Sequence, residues 1–207
     1  MNNIDNLMAR YPALSHLRSE IEKAADMIIC THTGGGKILL CGNGGSAADC
    51  EHISGELLKG FMQKRTPSDD ELRSLSMALG SRELAAKLQR GIAAIPLTSL
   101  SASLSAFAND VDAELVFAQL TLALGRQGDL LICLSTSGNS QNAVRAASVA
   151  RALGIRTIAL VGEGGGELAD ICELVIKAPE RETYKVQEYH LPIYHAICQE
   201  VEARLFC

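Results

Sequence analysis

The sequence has no tryptophan, and aromatic residues make up only 4% of its 207 positions. That scarcity argues against a platform on which successive nucleic-acid bases stack. Basic residues are outnumbered 19 to 24 by acidic ones, the net charge is −5, and no basic stripe runs along the chain. No nucleic-acid partner is expected. No apolar run approaches the ~20 residues that span a bilayer. The opening residues, MNNIDNLMARYP, lack the cationic-then-apolar layout of a secretory leader. The expectation is a cytoplasmic protein with no membrane partner. Cysteines are present, but not in close pairs: Cys30, Cys41, Cys50, Cys133, Cys172, Cys198 and Cys207 are odd in number and far apart. They read as reduced thiols and small buried hydrophobes, not as a disulfide framework or a cysteine zinc site.

What remains is ample for a core, with 47% hydrophobic residues in a length that suits one domain over 1–207. Residues 4–32 carry apolar positions at helical spacing, stopped by Gly34-Gly35-Gly36. Lys37–Cys41 is a short continuous apolar run, the mark of a strand buried on both faces. Further strands are expected at 94–97, 129–135, 157–161 and 173–177. Helices are expected at 47–60, 101–108, 113–125, 140–153 and 184–205, the last kinked at Pro192. This alternation predicts a doubly wound parallel sheet covered by helices on both faces, a flavodoxin-like three-layer sandwich. Residues 62–91 interrupt it. Ser68 and Glu71 form a capping-box pattern, and two short helices at about 69–79 and 82–90 are expected there, as a surface appendage, an oligomer contact or a lid.

Ligands on such sheets bind beyond the carboxyl ends of the strands. Two strand ends run into small-residue turns that open helices. The first, Cys41–Ala47, is glycine-rich, so backbone can approach a ligand while Ser46 offers a hydroxyl beside free N–H groups. Gly42-x-Gly44-x-x-Ala47 also fits a dinucleotide fingerprint. The acidic second strand that such a site needs is missing, because FMQKRTPSDD follows. The second turn, Ser135-Thr136-Ser137-Gly138-Asn139-Ser140, puts four hydroxyls at the start of a helix, where a phosphomonoester finds donors for three oxygens. A plain helix cap is the simpler alternative.

Two further pairs carry ionisable or amide chemistry. His52 and Glu56 stand at i and i+4 on one helix face, placed to share a metal or a proton, or simply to form a surface pair. Gln187 and His195 stand eight residues apart on the last helix, about 12 Å of rise. They meet one atom only if it lies between them or if the helix bends. Otherwise they serve different sites in different copies of the chain.

Together CGNGGSAADCEHISGE, LSTSGNSQNAV and VQEYH-x₄-H resemble the sugar isomerase (SIS) domain, and within it the phosphoheptose isomerases, which act on sedoheptulose 7-phosphate. The resemblance covers the chain outside 62–91, which becomes a helical insertion. It implies that Ser135, Thr136, Ser137 and Ser140 hold the phosphate of a small phosphorylated sugar. Asn43, Gly44, Ser46, Asp110 and Gln187 would contact the substrate. Glu56 would be the base and His195 the acid of an aldose–ketose isomerisation through an enediol(ate). It also implies a zinc ion on His52, Glu56, Gln187 and His195, and a homotetramer with active sites at subunit interfaces.

Three departures leave the sugar open. An arginine expected shortly after the helix glutamate is absent, with Lys59, Lys64 and Arg65 as candidate substitutes. Tyr184-Lys185-Val186 replaces an expected Ala-Asp-Arg, and the 62–91 segment is extra. The main competing function is a non-catalytic SIS protein that binds a sugar phosphate or a protein. A sensor domain of a transcription regulator would need a DNA-binding domain for which residues 1–32 are too short.

Overall fold

The computed structural model describes residues 2–206, so Cys207 lies outside it. Pro12 decides how the chain begins. The residue before a proline is pushed out of the helical region, and Tyr11 sits at φ −130°, ψ 74°. The single helix expected over 4–32 is therefore divided into α1 (Asn3–Arg10), a 3₁₀ turn (Pro12–Leu17) and α2 (Arg18–Thr33). Then come β1 (Ile38–Gly42), α3 (Gly45–Leu58), α4 (Asp69–Leu79), α5 (Arg82–Ala85) and β2 (Ala94–Pro96). After these follow α6 (Ser101–Asp110), α7 (Val116–Leu124), β3 (Leu130–Ser135) and α8 (Gln141–Ala152). The chain closes with β4 (Arg156–Val161), α9 (Gly166–Ile171), β5 (Leu174–Lys177) and α10 (Thr183–Phe206). Pro192 lies buried inside α10 without ending it.

All strand pairs are parallel, in the order β2-β1-β3-β4-β5. Side chains alternate between two cores, as a sheet covered on both faces requires. Ile38, Leu40, Leu130 and Ile132 face the core built with α1, α2, α3 and α10. Leu39, Cys41, Leu131 and Cys133 face the core built with α7 and α8. The six described cysteines are free thiols. Among the described residues no helix is long and apolar enough to cross a membrane. From β1 the chain crosses to β2 on one side, while β3 lies on the other. Between β1 and β3 the sheet therefore has its topological switch point, where ligands of this architecture bind.

The interrupting segment is a helical hairpin with no buried residue in α4 and only Ala85 buried in α5. The Ser68–Glu71 capping box forms in both directions. The second helix stops at Ala85, short of the expected residue 90, because the following residues are committed elsewhere. Gln89 accepts from the backbone N–H of Gly60, and the Arg90 N–H donates to Arg65 O.

Arg65 ties this hairpin to the domain. Its side chain is fully buried and donates to Glu202 Oε1 at 2.8 Å and to the carbonyls of Leu57 and Glu56 at 2.6 and 3.0 Å. It thus caps orphan carbonyls in the last turn of α3. Glu202 also accepts from the backbone N–H groups of Phe61 and Met62. Burial alone would raise the Glu202 pKa, but these N–H groups and Arg65 outweigh it and hold the value down.

Removing one partner of a buried, hydrogen-bonded pair leaves the other unpaired, so Glu202→Ala should cost about 3–5 kcal/mol of stability, read from urea unfolding. Because the folded pKa is depressed, the wild-type contribution is present above the ordinary glutamate value of 4.5 and is lost as pH falls through the lower folded value. The gap between wild type and variant should narrow at acid pH.

Candidate active site

The turns after β1 and β3 meet across the switch point. Asn43 and Asn142 join them through reciprocal amide hydrogen bonds of 2.9 and 3.0 Å. Gly44 takes φ +56°, and Ser46 is buried in the first turn of α3. In the second turn Ser135 Oγ lies 3.0 Å from Ser140 Oγ, and the Asn139 N–H donates to Ser137 Oγ. Thr136 Oγ1 reaches Thr183 at 3.5 Å. Ser140 is the N-cap residue of α8, yet its side chain makes no capping bond. Among the described residues, no protein acceptor takes the N–H of Thr136, Ser137 or Ser140. Free N–H groups and four hydroxyls at the positive end of a helix are the donors that could cradle an anion.

Behind the cradle lies Gly162–Gly166. Gly138 has φ +69°, and a Cβ there would overlap Gly165 O. The Lys177 ammonium leans over Gly165, a cation beside the cradle that no sequence motif marked.

A second cluster forms where α3 packs beside α10. His52 Nε2 lies 3.3 Å from Glu56 Oε1 and 3.4 Å from His195 Nε2. Glu56 and His195, the expected base and acid, therefore converge on one atom. Burial and the nearby His52 hold the His195 pKa below its ordinary value, against the pull of Glu56, so the ring is neutral at pH 7. Glu56 Oε2 lies 3.3 Å from Lys59 Nζ. Lys59 is thus the cation that reaches the glutamate, whereas Arg65 is enclosed and cannot meet a ligand. On the far side of His52, the Tyr194 hydroxyl lies 3.0 Å from Nδ1 and 3.1 Å from Asp49 Oδ1. Burial and the Asp49 carboxylate push the Tyr194 phenol far above its ordinary pKa, so it stays protonated. Asp49 and Tyr194 escaped sequence reasoning. Asp49 stands three residues before His52, but its partner comes from another helix.

The remaining expected residues lie apart from this cluster. Gln187 packs against Gly45 at the start of the α3–α10 seam, about two helical turns before His195. Asp110 ends α6, exposed and bonded to its neighbour Asn109. Ser46 and Glu56 are ten residues apart, about 15 Å of helix rise. The end of α3 lies beside the start of β2, where the Ile92 N–H donates to Leu57 O. In one chain the anion cradle and the His–Glu–His cluster thus occupy opposite edges of the sheet.

Among the described residues, no group of three or more His, Cys, Asp or Glu side chains is set to hold a metal ion in one chain. The 3.3 and 3.4 Å separations nonetheless match neighbouring ligands of a tetrahedral shell with bonds near 2.0–2.1 Å. What one chain lacks is a further donor to complete the shell.

The fold places this chain among doubly wound α/β proteins whose ligand crevice opens at the carboxyl edge of the sheet. More narrowly, residues 2–102 and 79–162 match the SIS domain, and the chain belongs to that family. It is 36% identical over 205 residues to the phosphoheptose isomerase of Akkermansia muciniphila, covering 99% of this chain and 96% of that one. The solved phosphoheptose isomerase of Neisseria gonorrhoeae superposes with a TM-score of 0.76 at 31% identity, over 96% of this chain and 94% of that one. The one from Francisella tularensis gives 0.78 at 28% identity, over 95% and 92%.

Gly138→Ala should cost about 1–3 kcal/mol through its positive φ and the clash with Gly165. In a thermal melt the variant should also lose stabilisation by inorganic phosphate, because the cradle can no longer close on Gly162–Gly166.

Proposed function

We propose that the chain is a phosphosugar isomerase interconverting a ketose phosphate and its aldose, with sedoheptulose 7-phosphate as the first substrate to test. One observation carries the reading: Glu56 and His195 converge on His52 in a chain that resembles phosphoheptose isomerases over nearly its whole length. Moving a carbonyl between C1 and C2 requires a proton to leave one carbon and another to reach its neighbour. Glu56 takes the first proton, and His195 serves the oxygen of the enediol(ate) through its ring N–H. Ser135, Thr136, Ser137 and Ser140 hold the phosphate, with Asn43, Gly44 and Ser46 beside them. The whole chain forms one SIS domain, with the 62–91 hairpin as an insertion on its surface. A cytoplasmic setting goes with free thiols at all six described cysteines.

Reach supports an assembly with shared sites. An extended chain advances about 3.5 Å per three bonds, so the eight bonds from C1 to phosphorus in a heptulose phosphate span roughly 9 Å. About 15 Å of α3 separates Ser46 from Glu56. One substrate meets both halves where the cradle of one copy faces the cluster of another, as in a homotetramer with interfacial sites. The same facing brings Gln187 of one copy, lodged against its own Gly45, to the His52–Glu56–His195 cluster of the next, and Asp110 is free to join in the same way. Those four side chains would then hold zinc. Bound there, zinc would supply Lewis-acid polarisation of the carbonyl or enediolate oxygen.

In deuterated water the wild type should exchange the C1 proton of sedoheptulose 7-phosphate. Glu56→Gln should abolish that exchange while keeping stabilisation by phosphate. If wild type exchanges nothing across C5–C7 ketose phosphates, with and without zinc, while phosphate still stabilises it, the chain is a binding protein. Co-refolding Glu56→Gln with Ser137→Ala chains should restore activity absent from either alone, because one composite site per mixed pair is intact. No recovery in verified hetero-oligomers means that each site lies within one chain.

A further inference from the structure

The two ring nitrogens of His52 face different surroundings. Nε2 points at Glu56 and His195, while Nδ1 lies 3.0 Å from the Tyr194 hydroxyl, itself 3.1 Å from Asp49 Oδ1. A carboxylate only accepts, so the proton in the Tyr194–Asp49 contact is the phenol's own. With that proton committed, the hydroxyl offers His52 only lone pairs, and Nδ1 must be the donor. In its neutral form the imidazole has one ring proton, so with Nδ1 donating Nε2 is bare.

We propose that Tyr194 and Asp49 are positioning residues that lock His52 as its Nδ1–H tautomer, turning the Nε2 lone pair toward Glu56 and His195. The orientation passes one step further. A bare His52 Nε2 accepts from His195 Nε2–H at 3.4 Å, which holds the His195 proton inside the cluster, where an acid is needed. That single lone pair is also 3.3 Å from Glu56 Oε1, so the His195 N–H it accepts offsets its repulsion from the carboxylate oxygen. Ring packing reinforces the hydrogen bonds. The Tyr194 ring stands edge-on to His52 and His195, with centroids 5.4 and 5.0 Å away. Tyr194 is 2% exposed, so solvent does not compete for its hydroxyl.

The role in turnover rests on the isomerase reading, but the tautomer can be tested without it. Ring ¹⁵N shifts of the full-length, metal-stripped protein, assigned by comparison with His52→Gln, should show His52 with a protonated Nδ1 and a pyridine-type Nε2. Tyr194→Phe keeps the ring and removes the relay, so the proton should redistribute toward Nε2. Asp49→Asn should do the same, because an amide can offer its own N–H to the phenol and free the phenol's proton for Nδ1. With sedoheptulose 7-phosphate, both variants should lose about 10–100-fold in kcat, as outer-shell partners of site histidines do. KM should stay within about twofold, because the anion cradle is untouched. A wild type with its proton on Nε2, or variants with the wild-type tautomer whatever their kcat, overturns the proposal. Absence of C1 exchange in the wild type would sink the isomerase reading and leave the tautomer result to stand by itself.

Discussion

Helices α3 and α10 run side by side in the same direction, and three contacts along their seam fix the register of the chemistry. At the start, Gln187 packs against Gly45, where a side chain would collide with it. In the middle, Tyr194 and His195 meet Asp49 and His52. At the end, Glu202 takes the N–H groups that follow α3 and the guanidinium that caps it. Between these contacts, Cys50, Ile53 and Leu57 of α3 and Ile193, Ile197 and Val201 of α10 are buried in one core. A one-residue slip would turn His195 about 100° away from His52 and unpair the enclosed Arg65 together. Core packing and site geometry are therefore the same constraint.

The seam also explains why one chain holds the proposed anion cradle and the His–Glu–His cluster apart. A helix that opens at the carboxyl edge of a parallel sheet must run back toward the amino edge. Its first turn can serve a ligand at the switch point, but its last turn cannot. The glycine turn and Glu56 sit at opposite ends of α3 for that reason, and Gln187 and His195 on α10 repeat the separation. Glu56 and His195, as the proposed catalytic pair, would be unusual at the amino edge of this architecture. It becomes intelligible when the neighbouring surface belongs to a second copy presenting its own carboxyl edge.

Much of this was legible in the sequence where a local signal and the tertiary outcome coincide. Continuous apolar runs gave β1 and β3, since strands buried on both faces need no polar alternation. The cap at Ser68 and the hydroxyls of 135–140 announced helix starts that form as expected. Reading failed where a distant residue decides. The helix expected through residue 90 ends at Ala85 because Gln89 and Arg90 bond to Gly60 and Arg65. The break at Pro12 was locally visible but was outweighed by an apolar spacing that continues on both sides. Short α9 escaped because Gly162–Gly166 masks its start. Arg65, in MQKRTP, was a candidate substitute for the missing site arginine, and only its partner 137 positions away makes it a buried pin. Tyr194 was hidden for the same reason, as a phenol next to a candidate acid whose partners lie on another helix.

One tension in the chemistry is eased by the carboxylate's own geometry. A glutamate that ligates a metal is a weaker base, so ligation and proton abstraction by Glu56 compete if they fall on one atom. Here the two oxygens have different neighbours: Oε1 faces His52 Nε2, and Oε2 faces the ammonium of Lys59. The side chain is largely buried and its backbone carbonyl is held by Arg65, so the carboxylate has little freedom to exchange the two. Lys59 is exposed, so solvent screens its attraction to Oε2. In the proposed tautomer the His52 lone pair would meet a cation bound at Oε1, which would leave Oε2 as the oxygen for a carbon-bound proton. Under the proposed mechanism the Asp49–Tyr194–His52 chain would decide which oxygen of Glu56 acts as the base.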